Sequence, residues 1–493
     1  MLIQTTFQPE DLYNAVHELI RMAYPKHDLC QGGPQQADVK LHMEMQVVQQ
    51  QVALTGCIVE GNKRTVREEK LDIITSENNR RSETNRLIRR FAYDLLVEHK
   101  GYSINSYGIL TGMRPVKLAH LLLDQGMRPA QINRQLKDNF RMSPDKADLI
   151  MEVAANEYPH LVRGQESQDT VGLYVGIPFC PTRCYYCSFP GAIYQPGDSL
   201  QVFLTALQRE MDAIAQCLKE TGKTVQSIYI GGGTPTVLSE AELQQLFEHL
   251  HRLFISAATR EITVEAGRPD TLSLSKLKLL KEAGTNRICI NPQTMNDETL
   301  VKIGRAHDRE GVVQSVIWAK EAGFKQINMD LIVGLPDEGK QDYQRTAEEI
   351  LALAPENITV HTLAVKRGSP MAEKEGRESV GDRIKTVQEG LTMMGNMFRD
   401  SNYQPYYLYR QKYMQASMEN IGYSLPNHFC LYNMNMIEER QTIVGLGGGA
   451  ASKFVNTSDG ELRSFYNPKN PVVYANEVDR VIAAKVDNLK AVH

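Results

Sequence analysis

Three cysteines in one short segment are the residues of this sequence best suited to chemistry. They are Cys180, Cys184 and Cys187, in the run Tyr174-Val-Gly-Ile-Pro-Phe-Cys-Pro-Thr-Arg-Cys-Tyr-Tyr-Cys, and no fourth cysteine is near them. A 4Fe–4S cluster normally takes four thiolates, so three ligands would leave one iron free to bind a small molecule. The spacing therefore indicates a cluster that acts as a reaction centre.

Two other uses of cysteine fit the sequence less well. A structural zinc site usually has four protein ligands, and the sequence has no second Cys-x2-Cys pair to supply them. A disulfide framework is not expected, because 8 cysteines in 493 residues are sparse and nothing resembles a secretion signal. The remaining cysteines stand alone and are predicted to be small buried residues; they are Cys30, Cys57, Cys217, Cys289 and Cys430.

Composition restricts the class of protein. The formal net charge is −4, which gives no global electrostatic reason to expect a nucleic-acid partner. No stretch approaches the roughly 20 apolar residues that a membrane span needs. We therefore expect a cytoplasmic protein with reduced thiols, no membrane span and two or three domains.

The elements that must position the cysteines alternate in type. Short β-branched runs predict strands at Val171–Ile177, Val225–Ile230, Glu261–Glu265, Arg287–Asn291, Gln326–Val333 and Ile358–Leu363. Helices are predicted between and after them at Leu200–Leu218, Glu240–Leu253, Leu274–Ala283, Glu310–Ala322, Asp342–Leu353 and Arg383–Phe398. Six such units predict an α/β fold, a partial (β/α)6 TIM-like barrel over residues 166–400.

Smaller domains are predicted on both sides of this barrel. Residues 1–165 are expected to form an α+β domain with a helical connector. In it, the alternation from Val39 to Val47 predicts a strand that pairs with Gln51–Glu60, and Ser82 and Gly101 are expected to begin and end a helix. Residues 401–493 are expected to form a C-terminal extension of aromatic-rich strands that ends in a helix over Val472–Lys490.

Further polar and glycine residues follow the predicted strands and should meet at one rim, where parallel βα folds place their active sites. Gly231–Thr236 lets the backbone approach a ligand closely, or forms only a tight turn. Glu265 could hold a ligand ammonium, or pair with Arg287 or Arg305. Asp330 suits ribose hydroxyls, with a helix cap as the alternative, and Arg305 suits a ligand carboxylate.

Several strings together resemble a known family. They are Tyr-Val-Gly-Ile-Pro-Phe-Cys, Gly-Gly-Gly-Thr-Pro-Thr, Asn286-Arg-Ile-Cys-Ile-Asn-Pro-Gln293, Asn328-Met-Asp-Leu-Ile-Val-Gly-Leu-Pro336 and, more loosely, Gly445-Leu-Gly-Gly-Gly-Ala450. The resemblance is to the radical S-adenosylmethionine (SAM) superfamily, and within it to the oxygen-independent coproporphyrinogen III oxidase (coproporphyrinogen dehydrogenase) family. It covers roughly residues 170–460. Leu-Thr-Gly-Met-Arg-Pro and the overall length are similar to the HemZ-type branch.

The resemblance implies a role for each matching residue. Cys180, Cys184 and Cys187 would hold a 4Fe–4S cluster whose open iron binds the amino and carboxylate groups of S-adenosyl-L-methionine. The residues implied to line the SAM pocket are Tyr174, Gly232, Glu265 and Ala451. A second set matches positions of an additional SAM site in the best-known branch: Gly233, Thr234, Gln293, Arg305, Asp330 and Ala364. Pro292, Thr294 and Met295 depart from the usual residues around the glutamine of that second set.

The implied activity is radical oxidative decarboxylation of two propionates of coproporphyrinogen III, which gives protoporphyrinogen IX in anaerobic haem biosynthesis. An electron donor such as flavodoxin or ferredoxin is implied as a partner. The alternatives are a haem-carrying chaperone of the same family and another radical SAM tetrapyrrole enzyme, such as a haem-opening methyltransferase. The chaperones carry a His-Asn-x-x-Tyr-Trp type string, whereas Leu431–Met436 keeps only Asn433, although Cys430 or Met434 could still ligate iron.

Overall fold

The computed structural model describes residues 2–25, 28–31, 37–73, 80–112, 114–189, 191–195, 197–366, 368–374, 384–411, 418–456 and 461–492. The chain divides into two compact units, Met1–Glu152 and Val153–His493. The domain limits expected at residues 165 and 400 remain predictions. None of the helices within the described ranges combines the length and the apolar character needed to cross a bilayer.

The first unit contains a five-stranded sheet in the order β2-β1-β3-β4-β5. Its strands are β1 (Leu2–Gln8), β2 (Asp28–Gln31), β3 (Val39–Val48), β4 (Gln51–Glu60) and β5 (Lys63–Asp72). The predicted pairing of β3 with β4 is confirmed, since Val39 lies opposite Glu60 in an antiparallel register. Alternation buries Val39, Leu41 and Met43, but it fails at the strand's end, where Val47 is 44% exposed.

Two helices pack on this sheet through an apolar face, α1 (Leu12–Ala23) and α2 (Arg80–Lys100). Three more helices follow along the chain: α3 (Pro115–Asp124), α4 (Pro129–Asp138) and α5 (Pro144–Glu157). Leu87, Phe91 and Leu95 of α2 join the core, as their spacing predicts. The capping role predicted for Ser82 is wrong, because α2 is already helical at Arg80. The predicted end is confirmed, since Gly101 has a φ of +78° and donates its N–H to the Val97 carbonyl at 2.8 Å.

The second unit is built on an eleven-stranded sheet in the order β14-β15-β13-β12-β11-β10-β9-β6-β16-β17-β18. Its six central strands are β6 (Thr170–Ile177), β9 (Thr224–Gly232), β10 (Glu261–Glu265), β11 (Arg287–Cys289), β12 (Ile327–Val333) and β13 (Asn357–Thr362). They are parallel and adjacent in chain order. The expectation of a partial (β/α)6 barrel is confirmed.

Later strands extend this sheet at both edges. β14 (Gln404–Tyr409) and β15 (Asn420–Ser424) join β13 in antiparallel fashion. β16 (Thr442–Gly447) runs parallel to β6, and β17 (Ala451–Val455) and β18 (Leu462–Tyr466) follow it. A separate short ladder pairs β7 (Phe179–Cys180) with β8 (Ala192–Ile193). Residues after 400 therefore supply both outer edges of the barrel sheet.

The six helices predicted in the barrel are present as α7 (Asp198–Glu220), α8 (Glu240–Leu253), α9 (Leu274–Glu282), α11 (Arg309–Glu321), α12 (Lys340–Leu353) and α14 (Ile384–Asp400). The structure adds α6 (Gly164–Asp169), α10 (Asp297–Lys302), α13 (Pro370–Lys374) and α15 (Leu431–Glu438). The helix predicted over Val472–Lys490 is divided into α16 (Pro471–Asn476) and α17 (Val478–Ala491). The predicted start of α14 at Arg383 lies outside the described residues. A side-chain cap fixes the start of α11, where Asp308 accepts the Gly311 N–H at 2.8 Å.

Candidate functional site

The cysteine loop leaves the carboxyl end of β6 and is fixed by backbone hydrogen bonds. Cys180 lies in the β7–β8 ladder, where its carbonyl accepts the Tyr194 N–H at 2.8 Å. The Tyr185 N–H donates to the Ile303 carbonyl at 2.9 Å, which ties the loop to the end of α10. Cys180 and Cys184 are buried, and Cys187 is partly exposed. Backbone hydrogen bonds to β8 and α10 thus help to position the three cysteines.

Each of the three sulfur atoms has a different neighbour. The Sγ of Cys180 lies 3.3 Å from the Thr234 hydroxyl, and the Sγ of Cys187 accepts the Phe189 N–H at 3.4 Å. The Sγ of Cys184 accepts a hydrogen bond from the Arg268 guanidinium at 3.5 Å. Burial raises the pKa of the Cys180 thiol to about 11. The raised pKa favours the protonated thiol, and metal binding would reverse this preference, because a coordinating thiol loses its proton.

The donor set of the loop fits an iron–sulfur cluster. A structural zinc site is usually closed by four protein ligands, whereas this loop supplies three thiols. Three thiols in one fixed loop therefore suit a 4Fe–4S cluster with one iron left open.

The turn Gly231–Gly233 packs against the cysteine loop. Gly232 has a φ of +119°, which favours glycine. A Cβ on Gly233 would lie 2.3 Å from the Phe179 carbonyl oxygen and 3.0 Å from the Sγ of Cys180. The Gly233 N–H donates to the Ile177 carbonyl at 2.8 Å, and the Thr234 N–H donates to that of Phe179 at 2.7 Å. The glycines make a tight turn, and they also allow the backbone to pack against the cysteine loop.

Glu265 and Tyr174 lie on the other side of the same turn. A Cβ on Gly231 would lie 3.0 Å from the Glu265 carboxylate and 3.1 Å from the Tyr174 hydroxyl. The Tyr229 hydroxyl donates to Glu265 at 2.8 Å. Burial raises the pKa of Glu265 to about 7, against the opposing effect of the Tyr229 hydrogen bond. Glu265 is therefore poised to change charge near neutral pH.

The ion pairs offered as alternatives for Glu265 are not formed within the described residues. Arg287 instead faces Glu261, with its Nε 3.5 Å from the carboxylate. It also donates to Asn357, and to the carbonyls of His428 and Phe429 at 3.0 Å. Arg305 donates to the Gly267 carbonyl at 2.8 Å and to the Tyr186 hydroxyl at 3.1 Å. Its Nε is buried and has no hydrogen-bond partner among the residues that the structure describes, so this donor could bind a ligand.

Asp330 of β12 contacts Gln293, which lies in the segment after β11. The Gln293 N–H donates to the Asp330 carbonyl at 2.9 Å, and Gln293 has a φ of +72°. The Asp330 carboxylate accepts from Asn328 at 2.8 Å and lies 3.7 Å from the His361 ring. Burial acts to raise the pKa of Asp330, but His361 and Asn328 outweigh it and hold that pKa below its usual value. Asp330 lies within β12 and caps no helix.

The remaining predicted residues lie near the rim. Ala364 follows β13, and the neighbouring Leu363 N–H donates to the Val333 carbonyl at 3.0 Å. Ala451 begins β17, and its carbonyl oxygen would lie 2.6 Å from a Cβ on Gly445. Gly445 is in turn the register partner of Tyr174. The late glycine-rich segment therefore packs against β6 next to Tyr174.

Buried charges anchor that glycine-rich segment. Glu210 of α7 accepts the Gly447 N–H at 2.7 Å and the Tyr474 hydroxyl at 2.6 Å. Lys485 of α17 donates to the same carboxylate and to the Gly445 carbonyl. Both charged side chains are fully buried. Two outer helices thereby fix the strand that flanks β6.

Three neighbours of the site were not predicted from the sequence. The ring centroids of Tyr229 and Tyr432 lie 4.7 Å apart, and they lie 6.0 and 6.3 Å from the ring centroid of Tyr174. Arg268 contacts the cysteine loop. A signal existed for Tyr229, which alternation on β9 places on the barrel face, but Tyr432 comes from α15 and Arg268 from an irregular turn.

Comparison with known proteins agrees with this arrangement. The Radical SAM superfamily profile matches residues 174–350. HemZ of Bacillus subtilis (strain 168), an oxygen-independent coproporphyrinogen-III oxidase-like protein, is 36% identical over 489 residues, which are 98% of this chain and 96% of that protein. The heme chaperone HemW of the same strain is 40% identical over 195 residues, 39% of this chain and 50% of that protein. HemW of Escherichia coli (strain K12) is 28% identical over 309 residues, 61% and 74% of the two chains.

A solved structure supports the same fold. Coproporphyrinogen III oxidase (HemN) from Escherichia coli, a radical SAM enzyme, superposes with a TM-score of 0.51 at 23% identity, over 64% of this chain and 70% of that one. The superfamily uses a 4Fe–4S cluster and S-adenosyl-L-methionine, and these are the cofactors of this chain. The chain belongs to the radical SAM superfamily and, within it, to the family of HemZ-type oxygen-independent coproporphyrinogen-III oxidase-like proteins.

Proposed function

We propose that this chain catalyses the SAM-dependent oxidative decarboxylation of coproporphyrinogen III propionates to vinyl groups, giving protoporphyrinogen IX in the cytoplasm. One observation carries the proposal: the cysteine loop, Glu265 and Tyr174 all contact the turn Gly231–Gly233. A cluster and its cosubstrate can therefore be adjacent there. When bound, the two cofactors would supply a 5′-deoxyadenosyl radical that removes a hydrogen atom from a propionate β-carbon. Loss of carbon dioxide, with transfer of one electron to an external one-electron acceptor, would then leave the vinyl group.

The chain's own residues would bind the cluster and SAM, orient them and shield them from water. Cys180, Cys184 and Cys187 would hold the cluster. Glu265 would accept a hydrogen bond from the amino group of SAM, and Tyr174, Gly232 and Ala451 would line its pocket. Gly233, Thr234, Gln293, Arg305, Asp330 and Ala364 would contact SAM or a second molecule of it. The mutually packed rings of Tyr174, Tyr229 and Tyr432 would exclude water from the side of the site next to Glu265.

The outer face of the cysteine loop supports a role for an acidic electron donor such as flavodoxin or ferredoxin. Phe189 and Ile193 are exposed there. Lys366 lies 4.5 Å from the Phe189 ring, and Lys469 donates to the Ser188 carbonyl at 3.1 Å. Cationic and apolar side chains next to the proposed cluster would attract an anionic partner.

A haem chaperone is the second candidate, because several similar proteins carry that name. Two residues that could still ligate iron are engaged elsewhere. Cys430 is buried and donates its thiol to Glu261 at 3.2 Å. Met434 is fully buried in the aromatic cluster with Tyr406 and Tyr432. Their burial supports the enzyme over the chaperone.

Replacement of Glu265 tests cosubstrate binding. Glu265→Gln should keep the cluster and weaken SAM binding by about 1.5–3 kcal/mol, the usual value of a charge-assisted hydrogen bond. Because the pKa of Glu265 is raised to about 7, the carboxylate gains population between pH 6 and pH 8. The affinity of the cationic cosubstrate should therefore rise with pH in the unmodified protein and stay flat in the variant. Calorimetric titration at several pH values measures both effects.

The matched control is Glu298→Gln, which removes a carboxylate from an exposed position of α10. Its affinity for SAM should equal that of the unmodified protein. Unchanged affinity in Glu265→Gln, with full iron content, would leave Glu265 a purely structural role.

Product analysis separates the enzyme from the chaperone. Under anaerobic conditions with SAM and dithionite or reduced flavodoxin, coproporphyrinogen III should fall from four carboxylates to two through a three-carboxylate intermediate. 5′-Deoxyadenosine should form in step with this loss, measured by liquid chromatography and mass spectrometry. Arg305→Ala should slow the reaction but retain iron, because Arg305 is expected to position a carboxylate. Stoichiometric haem binding without any decarboxylated product would favour the chaperone.

A further inference from the structure

Arg268 is a buried arginine that the family motifs do not include. It follows β10 in the turn Ala266–Pro269, and only 3% of its surface is exposed. Its guanidinium forms a two-pronged ion pair with Asp270, with Nε to Oδ1 at 3.0 Å and Nη2 to Oδ2 at 3.1 Å. An arginine keeps its charge even when buried, so this turn holds a buried ion pair whose guanidinium contacts the cysteine loop.

The same guanidinium binds the cysteine loop at two points. Its Nη1 donates to the Sγ of Cys184 at 3.5 Å, and its Nη2 donates to the Thr182 hydroxyl at 3.0 Å. The described sulfurs of Cys180 and Cys187 face a neutral hydroxyl and a backbone N–H instead. Cys184 is therefore the one loop cysteine for which the structure shows a hydrogen bond from a charged donor.

A cation in this place has two effects on a thiolate ligand. A hydrogen bond from a charged donor stabilises the anionic sulfur and fixes its direction. Hydrogen bonds to ligand sulfurs and nearby charges also shift the reduction potential of an iron–sulfur cluster. Reduction adds a negative charge, and the guanidinium that contacts Cys184 favours that state by Coulomb attraction, in part offset by the carboxylate of its partner Asp270.

We propose that Arg268 is a positioning residue that orients Cys184 and raises the reduction potential of the cluster. The inference rests on the proposed assignment of Cys180, Cys184 and Cys187 as cluster ligands, and it is independent of the substrate. The competing role is purely structural, with Arg268 serving only to pair with Asp270 and hold the turn. Iron content and reduction potential respond differently to these two roles.

The test compares Arg268→Gln, Arg268→Lys and the unmodified protein after anaerobic reconstitution. The ratio of reduced to oxidised cluster is measured by electron paramagnetic resonance at a series of applied potentials. Arg268→Gln should keep its iron and show a ratio about tenfold lower at any fixed potential, a shift of about 59 mV for one electron. Arg268→Lys keeps the positive charge but lacks the planar, multidentate guanidinium, so its potential should lie between those of Arg268→Gln and the unmodified protein.

A matched control lies at the other end of the same strand. Arg260→Gln removes an equal charge just before β10, where the side chain is 61% exposed and pairs with Glu166. The reduction potential of the cluster in Arg260→Gln should equal that of the unmodified protein. An unchanged potential in Arg268→Gln with full iron content would overturn the proposal, and so would loss of iron from both Arg268 variants. Absence of a 4Fe–4S cluster from the unmodified protein would instead contradict the ligand assignment.

Discussion

Replacement of Cys180, Cys184 or Cys187 by alanine is expected to abolish cluster binding. Reconstituted protein should hold about four irons and four sulfides per chain, and each single variant should hold almost none, because each thiol would bind a different iron. Colorimetric iron and sulfide assays, together with the absorbance of the cluster, measure this loss. SAM cleavage should disappear in the same variants.

The control for this experiment is Cys217→Ala. Cys217 is a buried cysteine of α7 that lies outside the cysteine loop. Its replacement should leave the iron content unchanged. Equal loss of iron from Cys217→Ala, or tight zinc in place of iron in the unmodified protein, would contradict the assignment.

Replacement of Lys485 by methionine should destabilise the second unit by about 3–5 kcal/mol, since it leaves Glu210 as an uncompensated buried charge. Both side chains are fully buried, and Glu210 also holds Gly447 and Tyr474. Urea unfolding of the cluster-free protein, followed by circular dichroism, measures the change. The double variant Glu210→Gln/Lys485→Met should recover part of the loss, because it removes the unpaired charge.

The same two helices supply the control. Arg209 of α7 and Asp479 of α17 form an ion pair at 2.6 Å with 56% and 79% of their side chains exposed. An exposed pair of this kind contributes less than about 1 kcal/mol, so Arg209→Met should leave stability nearly unchanged. If Arg209→Met and Lys485→Met cost the same, the buried pair does not anchor the glycine-rich segment.

The barrel could be predicted because its signals are local. Each β-branched run and each helical period occupies one short stretch, and the predicted limits of β10 and α8 agree with the structure. The rim followed from topology, since polar residues after parallel strands meet at one edge. Gly233 and Thr234 therefore lie against Cys180, and Glu265 lies against Gly231.

What could not be predicted depends on the packing of distant segments. The partner of Glu265 is Tyr229, and sequence patterns cannot distinguish it from Arg287 or Arg305. Tyr432 joins the stack from a distant helix, where Glu261 accepts the N–H groups of Leu431 and Tyr432, at 3.0 and 3.1 Å, and so holds the start of α15. Arg268 lies in a turn without a periodic pattern, so nothing in its spacing marks it as a neighbour of Cys184.

The position of β16 beside β6 has a consequence for synthesis of the chain. β6 pairs with β9 on one side and with β16 on the other, so its second edge stays open until residues 442–447 have been made. An open, apolar strand edge is prone to pair with other chains. The loop that carries the cysteines directly follows this strand. While residues 178–441 are being made, a nascent chain therefore carries the three loop cysteines beside an unpaired strand edge, and β16 covers that edge.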